Sequence, residues 1–404
     1  MLGRALVAPL EEDWLRTLDA VARARGWPTT REVDRLAACV TQLSASYNDP
    51  TRARASARDA GAARLGFSFA RDVPKGAAAV RELIAASQLT LEKTLTVLDI
   101  GAGLGATTWG LVRALEASGA RGPVQATWVD ADAEALALGQ AVLRERERSG
   151  GTGVELRVRA TCRAAGPLDD LGRFDLVLAG QVLSELEVGL PPAARSARHA
   201  ELLGAWLERR LTPAGSLVII EPALRDRTRH LHRVRDALVG AGATVFAPCL
   251  HAAPCPMLAR ETDWCHEDLD VDLPVGLAPV ARAAGLRREG LTFSYLVLRK
   301  DGRTLAARVP GPDRAGRLRV VSGAIPSKGK REAFLCGHLG AASGESVGAC
   351  VRGMRLDRDA TPDNGAWDEL RRGDILVVDP PLPLKRPRVG RESRLRLARE
   401  VQSR

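Results

Sequence analysis

Two groups of residues in this chain could do chemistry. The first is the run Leu98-Asp99-Ile100-Gly101-Ala102-Gly103-Leu104-Gly105, at the end of an apolar stretch and just ahead of a helical one. Glycines at such a junction let backbone approach a ligand without Cβ clashes, and the following helix offers unpaired N–H groups to it. Asp130, closing Thr127-Trp128-Val129-Asp130, is placed to accept hydrogen bonds from ribose hydroxyls. The second group is Cys249, Cys255 and Cys265, within seventeen residues of a turn-rich segment that also carries His251 and His266. Thiolates converge on soft metals, and close spacing, turns and nearby imidazoles suit them. Cys336, on a later strand, is the best fourth candidate, with His266 or His251 as alternatives. Four thiolates favour an iron–sulfur cluster; three thiolates and an imidazole suit zinc. The spacing is not Cys-x-x-x-Cys-x-x-Cys, so cluster-driven radical chemistry is unsupported and the metal reads as structural. Cys39, Cys162 and Cys350 read as core residues on apolar faces.

The elements that must position these groups follow from hydrophobic period. Residues 1–90 read as a helical region: Trp14, Leu15, Leu18 and Val21 share one face, a second helix follows Thr30, and a third spans Pro74 to Ser87. Residues 91–300 then alternate short apolar strands with helical segments, the strands at 95–100, 124–129, 154–160, 174–179, 216–221 and 243–247. That alternation predicts a mostly parallel sheet with helices on both faces. A last strand, Leu291 to Leu298, follows the cysteine-rich insertion at 248–290. Residues 301–381 read as a small β-rich domain, barrel-like, with strands at 317–322, 331–336, 346–354 and 374–379. Residues 382–404 read as a basic tail with eight Lys and Arg against two Glu.

Composition narrows the classes. The chain has 404 residues, 45% of them hydrophobic and 27% charged, as expected of globular domains, and no apolar run approaches the roughly 18 residues of a membrane span. Ala5 to Leu10 is too short and too soon followed by acidic residues for a targeting peptide, so a cytoplasmic protein is expected. Seven cysteines without such a peptide argue against a disulfide framework. The net charge of +10 favours a nucleic-acid partner, for which Lys328, Lys330, Arg331 and the tail are candidates.

Gly101, Gly103 and Ala106 also satisfy a dinucleotide spacing, and the carboxylate before the first glycine decides between the two folds. Methyltransferases place one there, as Asp99, near the methionine amino group of S-adenosylmethionine. The strand order fits a seven-stranded, Rossmann-like methyltransferase sheet whose final strand runs antiparallel. Gln181, Ser184 and Glu185, after the fourth strand, fall on its ligand-facing edge. No Asn or Asp followed by Pro-Pro-aromatic stands there, and Asp379-Pro380-Pro381-Leu382 reads as a proline stop after a strand, so no catalytic base is named.

Taken together, Leu98 to Gly105, Val182-Leu183-Ser184-Glu185-Leu186, Glu221-Pro222, Cys255-Pro256, Asp263-Trp264-Cys265-His266, Phe293-Ser294-Tyr295-Leu296 and the Cys336 strand carry a resemblance. The sequence resembles the small-ribosomal-subunit-associated methyltransferase-like proteins of bacteria and mitochondria, over most of residues 45–380. The resemblance implies a 4Fe-4S cluster held by Cys249, Cys255, Cys265 and Cys336, and a role with the small ribosomal subunit and its rRNA. One departure stands out: after Trp264-Cys265-His266 the family continues with an aromatic residue, where this chain has Glu267 and an acidic run to Asp272. Two functions compete: an rRNA methyltransferase, or a non-catalytic assembly factor using the same fold.

Overall fold

The structure is a computed structural model that describes residues 1–48, 56–89, 92–311, 316–340 and 346–398. Four helices lead: α1 (Glu12–Ala24), α2 (Val33–Asn48), α3 (Ala57–Ala63) and α4 (Phe69–Ala85). The third helix expected from Pro74 begins earlier. Ser56 caps α3 by accepting the Asp59 N–H at 3.1 Å, and a π-helical turn, Arg64–Ser68, carries the chain into α4 with Pro74 inside it. The wider turn shifts the register of the hydrophobic face, which is why a single helical period did not run through it.

A first sheet follows, with β1 (Leu95–Ile100), α5 (Ala106–Ala117), β2 (Pro123–Asp130), α6 (Ala133–Arg148), β3 (Glu155–Cys162), β4 (Phe174–Gly180), α7 (Pro192–Arg209), β5 (Leu211–Glu221), α8 (Arg225–Gly240) and β6 (Thr244–Ala247). The insertion contributes a short β7 (Glu267–Leu269) and α9 (Ala278–Ala283) before β8 (Leu291–Arg299). The strand order is β3-β2-β1-β4-β5-β8-β6, with β7 on the flank of β8. Strands β1 to β5 pair in parallel, and β8 is antiparallel to both β5 and β6. This is the expected α/β methyltransferase sheet, the insertion lying between its sixth and final long strands. Val97, Leu98 and Ile100 of β1 and Leu176 to Ala179 of β4 are fully buried, as strands covered on both faces must be.

The helical region is not a separate preface. One apolar cluster runs from Trp14 and Leu36 through Val80 and Leu83 to Val97, Trp109 and Val297. α4 lies directly on α5 because Gly110 lets it: a Cβ there would sit 2.3 Å from the Val73 carbonyl oxygen.

Beyond α10 (Leu305–Arg308), a second sheet holds β9 (Arg317–Val320), β10 (Ile325–Ser327), β11 (Lys330–Gly340), β12 (Ser346–Leu356), β13 (Ile375–Asp379), β14 (Arg388–Val389) and β15 (Arg394–Leu397). Its order is β14-β12-β11-β9-β13-β15 with β10 beside β11, a path left open among the described residues where a barrel-like closure is expected. The stretch expected as a basic tail from residue 382 is folded as far as Ala398. Leu395 and Leu397 alternate with Arg394 and Arg396, a strand pattern hidden by the charge count, and β15 pairs with β13. No helix among the described residues is long and apolar enough to cross a membrane.

Candidate functional site

Chain leaving β1 turns at once onto β2, the Gly101 and Ala102 N–H groups donating to the Val129 carbonyl at 2.8 and 3.1 Å. Gly101, Gly103 and Gly105 have φ of 68°, 52° and 79°, in the left-handed region. At Gly103 a Cβ would meet nothing within 4 Å, so the crest of the loop faces open space. At Gly105 it would lie 2.2 Å from Trp128 Cζ2. Asp130, at the end of β2, ties the crest down: its Oδ2 accepts the Gly103 N–H at 2.7 Å and its Oδ1 the Asp132 N–H at 2.8 Å.

Asp99 is fully buried beneath the loop. Its Oδ2 accepts the Thr108 hydroxyl at 2.6 Å and the Thr108 N–H at 3.2 Å, while its Oδ1 has no partner. Burial pushes its carboxyl up to about 7. Trp128 Nε1 donates to the same Thr108 hydroxyl at 3.0 Å, so one threonine joins the loop helix, β1 and β2. Gln181, just past β4, has φ 62° and donates its N–H to the Ile220 carbonyl at 2.6 Å. A non-glycine residue in that region carries local strain of the kind that collects at ligand sites. Asp99, Gly101, Gly103, Gly105, Asp130 and Gln181 therefore stand together at the carboxyl edge of the parallel strands, where open α/β sheets place ligands.

Ser184 and Glu185 lie beyond Gln181. The Ser184 hydroxyl donates to Glu221 Oε2, and the Leu183 N–H donates to Oε1 at 2.9 Å. Burial pushes the Glu221 carboxyl up to about 7. Arg195 donates to the carbonyls of Leu183, Ser184 and Leu186 at 2.7, 3.0 and 2.9 Å. Glu185 is exposed. The loop after β4 is thus held by groups that satisfy one another.

Cys249, Cys255 and Cys265 of the insertion and Cys336 of β11 line one small cavity of about 50 Å³, shared with His232, Arg235, His266, Tyr295 and Arg319. α8 holds the insertion around it. Arg229 donates to the carbonyls of Met257, Arg260 and Asp263 at 2.6 to 2.7 Å, Arg235 donates to those of His251 and Ala253 at 2.6 Å, and Asp236 accepts the Cys255 N–H at 2.9 Å. Burial first, then the neighbouring Cys249, pushes the Cys255 thiol up to about 12; Cys265 is raised for the same reasons. His232 Nε2 is 3.5 Å from Cys265 Sγ, and His251 Nε2 is 3.5 Å from Cys336 Sγ. Among the described residues no three or more His, Cys, Asp or Glu stand in an arrangement that holds a metal ion. The four thiols share a cavity, not a coordination geometry.

An ionic cluster backs this cavity. Arg319 of β9 pairs with Glu82 of α4 at 2.6 and 3.2 Å and donates to the carbonyls of Pro248 and Gly373 at 3.0 and 2.8 Å. The Tyr295 hydroxyl donates to Glu82 at 2.7 Å, and Arg81 pairs with Glu267 at 3.1 Å. All five side chains are buried. Glu267, in the position where the resemblance leads one to expect an aromatic residue, is thus the partner of a buried arginine. Burial opposes ionisation of Glu82, but Arg319 and Arg81 hold it below the usual carboxylate range.

Sequence reasoning placed a helical segment between the strands at 216–221 and 243–247 but missed that α8 holds the insertion, and it missed the Arg319–Glu82 pair. Arg229, His232 and Arg235 at three-residue steps, beside Leu231, Val234 and Leu238, form a polar stripe on a buried helix face that could have marked it. Nothing local marks Arg319. Of the remaining cysteines, Cys39 is buried, 3.6 Å from Asp59 Oδ1; Cys162, expected in the core, is exposed at the end of an edge strand; and Cys350 is half-buried opposite Cys336. Of the basic residues expected to meet RNA, Lys328 is exposed, Lys330 pairs with Glu332 at 3.1 Å, Arg331 with Asp368 at 3.2 Å and Arg388 with Asp359 at 2.6 Å.

Comparison with known proteins adds to this geometry. Residues 71–349 match the family described as Mitochondrial small ribosomal subunit Rsm22. No curated protein sequence matches the chain. Similar solved structures include a precorrin-6y C5,15-methyltransferase of Geobacter metallireducens, 16% identical over 54% of this chain and 87% of that one with a TM-score of 0.30. A class I S-adenosylmethionine-dependent methyltransferase of Listeria monocytogenes is 13% identical over 72% of this chain and 87% of that one, with a TM-score of 0.36.

Proposed function

We propose that this chain, which belongs to the Rsm22 family of the mitochondrial small ribosomal subunit, is an S-adenosylmethionine-dependent methyltransferase acting on the rRNA of the small ribosomal subunit. The observation that carries the reading is the open left-handed crest at Gly103, tied to Asp130 at 2.7 Å, above a buried Asp99 with an unpartnered Oδ1. That donor and acceptor set fits a nucleoside joined to an amino acid. Asp130 would take the ribose hydroxyls on its remaining lone pairs, Asp99 the methionine amino group, and Gly101 to Gly105 the close backbone approach. S-adenosylmethionine, when bound, supplies an electrophilic methyl group. Gln181 and the loop after β4 would border the acceptor.

Cys249, Cys255, Cys265 and Cys336 are proposed to hold a 4Fe-4S cluster, with zinc as the alternative. Their fit rests on the donor set: four thiols line one cavity, burial and neighbouring thiols push Cys255 and Cys265 up, and a bound cation would reverse that by stabilising thiolates. The centre would tie the second sheet to the edge of the first.

The second reading, a non-catalytic assembly factor, is favoured by one observation. Ser184 and Glu221, the polar pair on the acceptor side, are satisfied by each other and by the Leu183 N–H.

The deciding experiment measures methyl transfer from labelled S-adenosylmethionine to small subunits from cells lacking the protein, comparing wild type with Gly103→Leu. Incorporation into rRNA that is lost in the variant is expected. No incorporation, with the protein still sedimenting on immature subunits, would overturn the enzyme and leave the assembly factor. Iron, sulfide and zinc analysis after anaerobic purification tests the metal separately, and stoichiometric zinc without sulfide would replace the cluster.

A further inference from the structure

The fold sets a fifth cysteine beside one that lines the cavity. β11 and β12 pair antiparallel along their whole length, in a register that sets Cys336 directly opposite Cys350. Directly opposed residues of such a pair have Cβ atoms about 4.5–5.5 Å apart, close to the roughly 3.5–4.5 Å that a disulfide spans. Directly opposed residues of an antiparallel pair project to the same face of the sheet, so the register sets the two thiols side by side. Both residues are half-buried. β12 also closes on the insertion: at Gly348, two residues before Cys350, a Cβ would lie 2.6 Å from the Ala253 Cβ and 2.8 Å from His251 Nδ1.

We propose that Cys336 and Cys350 form a reversible cross-strand disulfide by exchange with a low-molecular-weight disulfide. The pair stands on the strand register; only its consequence rests on the proposed metal centre, whose fourth ligand it would consume. In the exchange one thiolate of the pair attacks a sulfur of RSSR and expels RS⁻. The second thiol, its proton lost to solvent, attacks the mixed disulfide and expels the second RS⁻. Two protein thiols are oxidised to one disulfide, and one RSSR is reduced to two thiols. No other cysteine stands opposite Cys336 in the strand register; Cys39 is buried beside Asp59 and Cys162 is exposed on β3.

The test uses the full chain as purified, with and without prior treatment with an iron and zinc chelator, incubated with oxidised glutathione and then digested without reduction for mass spectrometry. The expected product is a peptide linking Cys336 to Cys350, lighter by about two hydrogens than its two parts. It should be abundant after chelation, suppressed without it, and absent in Cys350→Ser, where Cys336 carries glutathione instead. Glutathione on the exposed Cys162 shows that the reagent acted. Circular dichroism checks the fold of the variant, and Cys350→Ala repeats the test if serine disturbs it. A modified Cys162 with no Cys336–Cys350 link, or Cys336 linked to Cys249, Cys255 or Cys265, overturns the proposal. Metal analysis of the same samples keeps the two readings apart. A link formed in protein that never held metal supports the pair and removes the metal centre; bound metal with no link after chelation does the reverse.

Discussion

The glycine loop is built from residues 98–108 and one carboxylate at the end of the next strand, whereas the cysteine cavity draws on α4, α8, the insertion, β8, β9 and β11. The first is a local device. Its geometry follows from three left-handed glycines and a threonine nine residues beyond Asp99, and a change there should be felt there. The second is a junction. Arg319 of the second sheet, Glu82 of the helical region and Tyr295 of the first sheet meet in one buried cluster beside the thiols. A change there should be felt across the molecule.

The sharpest way to break that contrast is Glu82→Ala. It leaves Arg319 buried without its carboxylate, and removing one partner of a buried pair costs about 3–5 kcal/mol. Urea unfolding should show a loss of that size, together with faster proteolysis of the second sheet, while S-adenosylmethionine affinity of the protein that remains folded stays near wild type. A loss confined to the loop, or none, would put the junction elsewhere.

Within the loop, Gly105→Ala should cost about 2–3 kcal/mol, because the new Cβ meets the Trp128 ring and φ is 79°. Gly103→Ala should cost about 1 kcal/mol, the left-handed strain alone, since nothing lies within 4 Å. Their ligand effects should run the other way round, with the weaker S-adenosylmethionine binding in the Gly103 variant at equal folded fraction. Calorimetric titration beside thermal melts reads both. Equal stability losses would show that Trp128 gives way.

The same contrast sets what could be read from the residues alone. All seven strands expected in the first sheet were legible, their ends within five residues, because most are short apolar runs closed by turn residues and β3 alternates apolar with polar. The loop was legible because Asp99 to Gly105 are contiguous. The β14 and β15 strands were hidden under a charge count, and the start of α4 under a π-helical turn that no single period describes. The cluster behind the cavity was illegible in principle: Glu82 and Arg319 are 237 residues apart, and an arginine on a short strand looks like any exposed one. That the four cysteines share one cavity depends on where the second sheet docks, which their spacing does not encode.

The smallest effect separates the two sites by pH. Asp99 and Glu221 are each raised by burial to about 7, so below that pH the folded protein holds protons that the unfolded carboxylates release near 4. The folded state binds more protons, and this contribution to stability is whole in acid and lost as pH rises through about 7. His232 and His251, around the cysteine cavity, are lowered by burial to about 4. There the unfolded state binds more protons below about 6.5, so their contribution is whole at neutral pH and lost as pH falls toward 4. The loop side should therefore weaken with alkali and the cavity side with acid. Asp99→Asn replaces a protonated carboxyl with a neutral amide of the same shape. Its stability relative to wild type should rise by about 1 kcal/mol between pH 6 and 7, read from melts at each pH. A flat difference would mean that Asp99 is ionised in the folded protein, with a cation or an unseen donor at its Oδ1.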